Sequence, residues 1–213
     1  MNVFDFDNSL RAKYGPNIIG VDECARGSLA GPICAGAVIF HADTNIKGIK
    51  DSKQLSPKNR LDLYEEITKQ AIAWHVAFIQ AEEIDRIGIN PSNTKAMEIA
   101  IKETVCASKL KIDLYVIDQS PLKMKNMLMM PRMDSLSASV AAASILAKVT
   151  HDKYMDELSI TYPNYNLSDN KGYGNPEHIA LIKKYGKIQG LHRMSFKIKA
   201  LSNYTQVSLN DLG

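Results

Sequence analysis

Two carboxylates stand side by side where an apolar run ends. Asn17-Ile18-Ile19-Gly20-Val21 leads into Asp22-Glu23-Cys24, and Ala25-Arg26-Gly27-Ser28-Leu29-Ala30-Gly31-Pro32 follows. Carboxylates at the end of a buried strand are costly unless a cation neutralises them. The small residues around Arg26 let a ligand approach the backbone closely. A metal-bearing site that reads a phosphate-rich partner accounts for both halves of the segment.

Two further acids compete for the same chemistry. Asp118 ends the apolar run Leu114-Tyr115-Val116-Ile117, and Asp134 precedes Ser135 at the start of a long helical stretch. Taken singly, each acid reads as a cap or turn residue. Two apolar strands that both end in carboxylates favour a shared site, since ligands of α/β sheets gather at strand ends. Neighbours on a regular strand point to opposite faces, so Asp22 and Glu23 share a site only if the strand ends or kinks there. Asp134 also fits the helix N-cap, a position that keeps a carboxylate ionised. Asp152 lies too far along the same helix to join it, roughly 27 Å away at 1.5 Å per residue. It follows Lys148 by four residues, the spacing of a helix-surface ion pair. A donor set of oxygens without a His or Cys cluster suits Mg²⁺ or Mn²⁺ rather than zinc. Four acids around two such ions would hydrolyse a phosphodiester. A serine hydrolase built on Ser144 and Lys148 is rejected, because its motif needs a spacing of three. Ser144, in an alanine-rich helix, reads as a packing residue.

The elements that must position these groups follow from patterning. Residues 18–22, 33–40, 72–80 and 114–117 read as strands. Ser56-Pro57 is a helix start, running to about residue 70. Further helices are expected over residues 91–108, 135–158 and 176–185, with Lys171-Gly172-Tyr173-Gly174 in a loop. This is an α/β domain spanning residues 1–213 with a helical C-terminal extension from about residue 176. The polar tail after Leu201 is expected to fray.

Composition is that of an ordinary globular chain: 213 residues, 45% hydrophobic, 23% charged, net charge +3. Net charge alone does not establish a nucleic-acid partner, but Lys183, Lys184, Lys187, His192, Arg193, Lys197 and Lys199 concentrate positive charge late in the chain. Cys24, Cys34 and Cys106 form no CxxC pair, and the histidines lack zinc spacing, so a reducing cytoplasm is expected. The apolar stretch 29–40 is too short and too broken by Gly and Pro to cross a membrane.

Over residues 17–196 these blocks, in order, resemble ribonuclease HII. The carriers are Gly20 to Pro32; Asp51-Ser52-Lys53-Gln54-Leu55; Val116-Ile117-Asp118; Asp134 with Ala141 to Val149; Lys171 to Gly174; and His192-Arg193-Met194-Ser195-Phe196. Ribonuclease HIII, with its N-terminal extension and different residues after Asp-Glu, fits poorly. The resemblance implies an RNase H-like fold: a central mixed β-sheet flanked by helices, with a helical C-terminal portion. It implies a two-metal endonuclease that cuts RNA in RNA–DNA hybrids and incises at ribonucleotides embedded in duplex DNA, leaving 3′-hydroxyl and 5′-phosphate ends. Asp22, Glu23, Asp118 and Asp134 are then the metal ligands. Ala25, Arg26 and Gly27 read the 2′-hydroxyl, the group that distinguishes the strands chemically. Tyr173 packs on the adjoining sugar, and Lys53 contacts a phosphate.

Three departures stand out. Ala25 replaces a family glycine, and its Cβ would oppose a positive-φ backbone. Gln119 replaces a glycine, and Arg132-Met133 replaces Lys-Gly. No metal ligand is lost, so cleavage is expected to survive, and single-ribonucleotide incision is the function exposed to change. Other readings are a non-catalytic nucleic-acid-binding protein of the same fold, or a related nuclease acting on DNA junctions. The tail Gln206-Val207-Ser208-Leu209 partly matches peptides that dock on sliding clamps but lacks their terminal aromatic residue. A monomer is expected.

Overall fold

The apolar runs assemble into one five-stranded sheet. In the computed structural model, which describes residues 3–198, β1 (Ile18–Cys24), β2 (Ile33–Phe40), β3 (Ala71–Ile79), β4 (Leu114–Ile117) and β5 (Met127–Met129) lie in the order β3-β2-β1-β4-β5. β1 and β3 flank β2 antiparallel, whereas β4 runs parallel to both β1 and β5. The sheet is therefore mixed. Every residue of β2 is buried, which is why Ile33 to Phe40 reads as a continuous apolar run rather than an alternating one.

Helices cover both faces: α1 (Val3–Tyr14), α2 (Pro57–Gln70), α3 (Ala81–Ile87), α4 (Ile89–Ser108), α5 (Ala138–Thr161), α6 (Leu167–Asn170) and α7 (Pro176–Tyr185). On one face Ile19, Val21, Ile33 and Ala35 pack with Ala96, Met97 and Ala100 of α4. On the other, α5 lies directly on the sheet backbone. A Cβ on Gly20 would stand 2.2 Å from the Ser139 carbonyl carbon, and one on Gly36 would stand 2.4 Å from the Ala143 oxygen. Only glycine fits at these two strand positions. The run Ala141-Ala142-Ala143 keeps the helix side of the seam equally small.

Several expectations need correction. α5 begins at Ala138, not near residue 135, and reaches Thr161. Its N-cap is Ser137, whose Oγ accepts from the Val140 amide at 3.2 Å, so Asp134 is released from capping. α1 and β5 were not anticipated. The α1 side chain Asp7 is buried and accepts from the Ser139 amide at 2.9 Å and from Ser139 Oγ at 2.6 Å, pinning α1 to the positive end of α5. The start of α2 is as its sequence indicates, with Ser56 Oγ accepting from the Asn59 amide at 3.2 Å. Beyond α5, Tyr165, Leu167, Ile182 and Leu191 pack with Met155 and with Ala30, in the segment that joins β1 to β2. Among the described residues no helix is long and apolar enough to cross a membrane. The tail after Leu201, including the clamp-like residues 206–209, lies outside the described residues.

Candidate active site

Asp22 and Asp118 meet because β1 and β4 run side by side in the same direction, with Val21 opposite Ile117. The Asp118 amide donates to the Val21 carbonyl at 3.3 Å, continuing that pairing past the strand end. Asp134 arrives on a 3-10 turn, Met133–Ser135, that leads into α5. Asp118 Oδ1 accepts from the Met133 amide at 3.2 Å and so draws this turn against β4. Carboxylate oxygens of Asp22, Asp118 and Asp134 all lie within 4.8 Å of one another.

Glu23 is placed differently. β1 neither ends nor kinks at the paired acids: Asp22 faces Gly36 across the ladder, Glu23 faces Ala35 and Cys24 faces Cys34. The two carboxyl groups therefore leave opposite faces. Asp22 lies beside Ser144 of α5, and Glu23 beside Asn93 of α4. Both still border one cleft of about 470 Å³, because the strand end forms its floor. The expected kink is absent, and Glu23 flanks the three aspartates rather than joining their cluster.

These carboxylates are under electrostatic pressure. Burial, and then the charge of Glu23, pushes the Asp22 carboxyl well above its ordinary range. Burial, and then Asp118, also raises Glu23, with Arg26 opposing. Glu23 Oε2 is buried without a hydrogen-bond partner among the described residues. Crowded acids with an orphaned oxygen, and with neither His nor Cys in the cluster, fit a hard divalent cation.

The same cleft is also lined by the cations Arg26, Arg60 and Lys148. Arg26 is exposed and donates to Asn90 Oδ1 at 2.7 Å. Lys148 is held by Asp152 at 2.7 Å, and its ammonium lies 5.1 Å from the centre of the Tyr173 ring. Asp152 also meets Arg60 at 3.7 Å. Burial opposes ionisation of Asp152, but hydrogen bonds from His151 and Lys148 outweigh it and hold the carboxyl below its usual range. The pair with Lys148 is thus a half-buried part of the cleft, not a solvated feature of the helix surface.

Lys53 belongs to the 3-10 turn Ser52–Gln54, whose first residue, Ser52, lines the cleft. Arg60 supports that turn through the Ser52 and Leu55 carbonyls, both at 3.1 Å. Ser144 does more than pack, since its hydroxyl shares a hydrogen bond of 2.9 Å with Ser52. Sequence reasoning missed Ser52, Arg60 and Ser144 as cleft residues. Nothing in their local spacing marks them; they meet only through the docking of α2 on α5.

Ala25 adopts φ +65°, the conformation that its glycine-like position demands, and it is buried. A left-handed L-residue costs about 1–2 kcal/mol. At Gly27 a Cβ would meet nothing within 4 Å, so sterics within the chain do not require glycine there. Tyr173 is partly exposed, with Oη 3.9 Å from Cys24 Sγ. Its loop is stitched to the segment between β1 and β2: Leu29 and Ala30 amides donate to the Gly172 carbonyl at 2.7 and 3.2 Å. Gly172, at φ +79°, approaches so closely that a Cβ would stand 2.3 Å from the Ala30 oxygen.

Comparison with known proteins places this arrangement. The family model for ribonuclease HII matches residues 19–199. The chain belongs to the ribonuclease HII family. It is 41% identical over 203 residues to a ribonuclease HII of Caldicellulosiruptor bescii, covering 94% of this chain and 96% of the relative. It is 45% identical over 187 residues to that of Rickettsia felis, covering 87% and 94%. Among solved structures it resembles ribonuclease H2 from Pyrococcus horikoshii OT3, with TM-score 0.70 at 25% identity, covering 85% of this chain and 94% of the other. The mixed sheet and flanking helices are the RNase H-like fold. Of the departures from the ribonuclease HII pattern, Gln119 donates its amide to Asp118 Oδ1 at 2.8 Å, and Arg132 takes a left-handed φ of +61° before the fully buried Met133.

Proposed function

We propose that Asp22, Glu23, Asp118 and Asp134 hold two Mg²⁺ or Mn²⁺ ions, and that the cleft beside them incises at ribonucleotides within duplex DNA as well as cutting longer hybrids. Endonucleolytic hydrolysis of the RNA strand of RNA–DNA hybrids, dependent on metal, is the activity of the ribonuclease HII family to which the chain belongs. The observation that carries the site assignment is the convergence of three aspartates on one point beside a cleft that cations also line.

Bound there, divalent cations supply Lewis acidity toward a phosphate and lower the pKa of an attacking water. The chain's own residues supply position and selectivity. Asp22 and Asp118 are fixed by adjacent strand ends, and Asp134 is drawn in through the Asp118–Met133 hydrogen bond. Arg26 and Lys148 face the phosphates of the bound strand, where cation contacts give register rather than sequence preference. The backbone of Ala25, Arg26 and Gly27 faces the 2′-hydroxyl, and Tyr173 packs on the neighbouring sugar. Lys53 contacts a phosphate.

The test is a pair of substrates, one RNA–DNA hybrid and one DNA duplex with a single ribonucleotide, each with Mg²⁺ and Mn²⁺. Asp118→Asn should lower cleavage of both by about 10³-fold or more, the scale of lost transition-state charge stabilisation. Cleavage of the hybrid alone by the wild-type chain would refute incision at embedded ribonucleotides. Undiminished cleavage by Asp118→Asn would refute the ligand assignment.

A further inference from the structure

The block His192-Arg193-Met194-Ser195-Phe196 has no role in the site as described, yet its arginine is among the most enclosed side chains in the molecule. Arg193 is 0% exposed. Its guanidinium donates to four backbone carbonyls: Nε to Gly31 at 3.1 Å, Nη1 to Arg26 at 2.8 Å, and Nη2 to Ala25 at 2.8 Å and Pro32 at 2.9 Å. No carboxylate pairs with it among the described residues; the oxygens of the reader segment are what solvate its charge. All four acceptors lie between residues 25 and 32, so one side chain closes both ends of that segment.

Two of those bonds explain a local conformation. Consecutive carbonyls of an extended strand point to opposite sides, yet the Ala25 and Arg26 oxygens converge on one guanidinium. That convergence is set at Arg26, which joins the two peptide planes, while the bond to the Ala25 oxygen fixes the plane that directly follows the left-handed residue Ala25. Because a trans peptide sets N–H opposite C=O, the following amides, of Arg26 and Gly27, are turned away from Arg193. Residues 26 and 27 are exposed and border the cleft. A buried charge-assisted contact thus sustains a backbone conformation that alanine, unlike glycine, adopts at a cost.

The support behind Arg193 is built to resist movement. Its own amide donates to the Leu29 carbonyl at 2.8 Å, and Phe196 lies with its ring centre 5.2 Å from the guanidinium carbon. Lys187 Nζ donates to the carbonyls of Arg193, Met194 and Phe196 at 3.1, 3.3 and 2.9 Å. Asp85 accepts from the Met194 and Ser195 amides, both at 2.8 Å, and from Ser195 Oγ at 2.6 Å.

We infer that Arg193 is a positioning residue for ribonucleotide recognition: by gathering the carbonyls of Ala25, Arg26, Gly31 and Pro32, it holds the reader backbone in the one conformation that presents the Arg26 and Gly27 amides to the 2′-hydroxyl. The inference rests on the reading of that segment proposed above. A duplex with one ribonucleotide offers a single 2′-hydroxyl and hence one register, whereas a hybrid offers many. Loosening the segment therefore damages single-ribonucleotide incision more than hybrid cleavage.

The experiment measures kcat and KM on both substrates for the wild type, Arg193→Lys, and Arg193→Lys combined with Ala25→Gly, with Mn²⁺ affinity as a separate readout. Lysine keeps the charge but cannot span four carbonyls. Arg193→Lys should lower single-ribonucleotide incision at least about tenfold further than hybrid cleavage, with unchanged Mn²⁺ affinity. Glycine at position 25, which adopts the left-handed backbone without help, should recover a substantial part of that loss. Parallel loss on both substrates, no recovery with glycine, or no effect of lysine would overturn the inference. If Arg193→Lys does not fold, Lys187→Gln loosens the same segment from outside, and a proportionate loss on both substrates would overturn the inference equally. Failure of the wild type on the single-ribonucleotide duplex would instead defeat the underlying reading, which separates the two outcomes.

Discussion

The two walls of the cleft are held in place by different means. The aspartates ride on elements of the central core: two adjacent strand ends and the turn before α5. The reader segment has little regular pairing of its own and is fixed by residues far along the chain, Gly172 and Arg193. The acidic wall inherits its precision from the sheet. The reader wall depends on a buried guanidinium and a few carbonyls. Damage to the core should therefore harm all activity together, whereas damage to the reader wall should alter which substrate is cut.

The largest effect that would sharpen this contrast comes from the β1/β2–α5 seam. Gly36→Ala places a methyl group 2.4 Å from the Ala143 oxygen, a clash that only backbone movement relieves. It should destabilise the chain by about 1–3 kcal/mol, the usual cost of overpacking, measured from the denaturant midpoint. Cleavage of hybrid and single-ribonucleotide substrates should fall together; a change in their ratio would break the comparison. Next comes Tyr173→Ala, which removes a ring from the reader wall and should reduce single-ribonucleotide incision about tenfold, with a smaller loss on hybrids. Tyr173→Phe keeps the ring and loses only the distant Cys24 contact at 3.9 Å, so it should stay close to wild type. Equal losses for Ala and Phe would show that the hydroxyl, not the face of the ring, matters. The smallest effect is on stability. With metal removed, Asp22→Asn relieves crowding among three carboxylates whose oxygens lie within 4.8 Å of one another. It should raise the melting temperature by roughly 2–4 °C, corresponding to about 1 kcal/mol in a chain of this size, while abolishing cleavage. A lower melting temperature would show that the cluster is not strained without its cation.

What the sequence made legible divides along the same line. Asp22 and Asp118 could be read as candidate site residues because each directly follows an apolar run, a local pattern. α2 could be bounded from Ser56-Pro57 for the same reason. Asp134 was legible as a competing acid, but its place before the helix also fitted a cap, and Ser137 takes that role instead. α1 escaped notice because its buried positions Phe4, Asp7 and Leu10 include a carboxylate, which hides the apolar face. β5 is three half-buried residues at the sheet edge, too short for an alternating pattern to show. Ala25 announced a conflict between residue type and backbone, and the backbone prevailed at φ +65°. The contact that explains how it prevailed joins residues 25 and 193, a separation no local pattern carries.

The glycines at positions 20 and 36 have a consequence beyond close packing. Where a helix rests on a sheet through large side chains, its height drifts as those side chains change, like a shelf on adjustable brackets. Here the backbones themselves touch at Ser139 and Ala143. The height of α5 above β1 is set by peptide groups, which do not vary with sequence. Asp22 belongs to the lower surface of that joint, and Asp134 to the turn that leads into the upper one. The seam is thus a gauge block: side chains elsewhere in this core can change while the two carboxylates keep the same spacing.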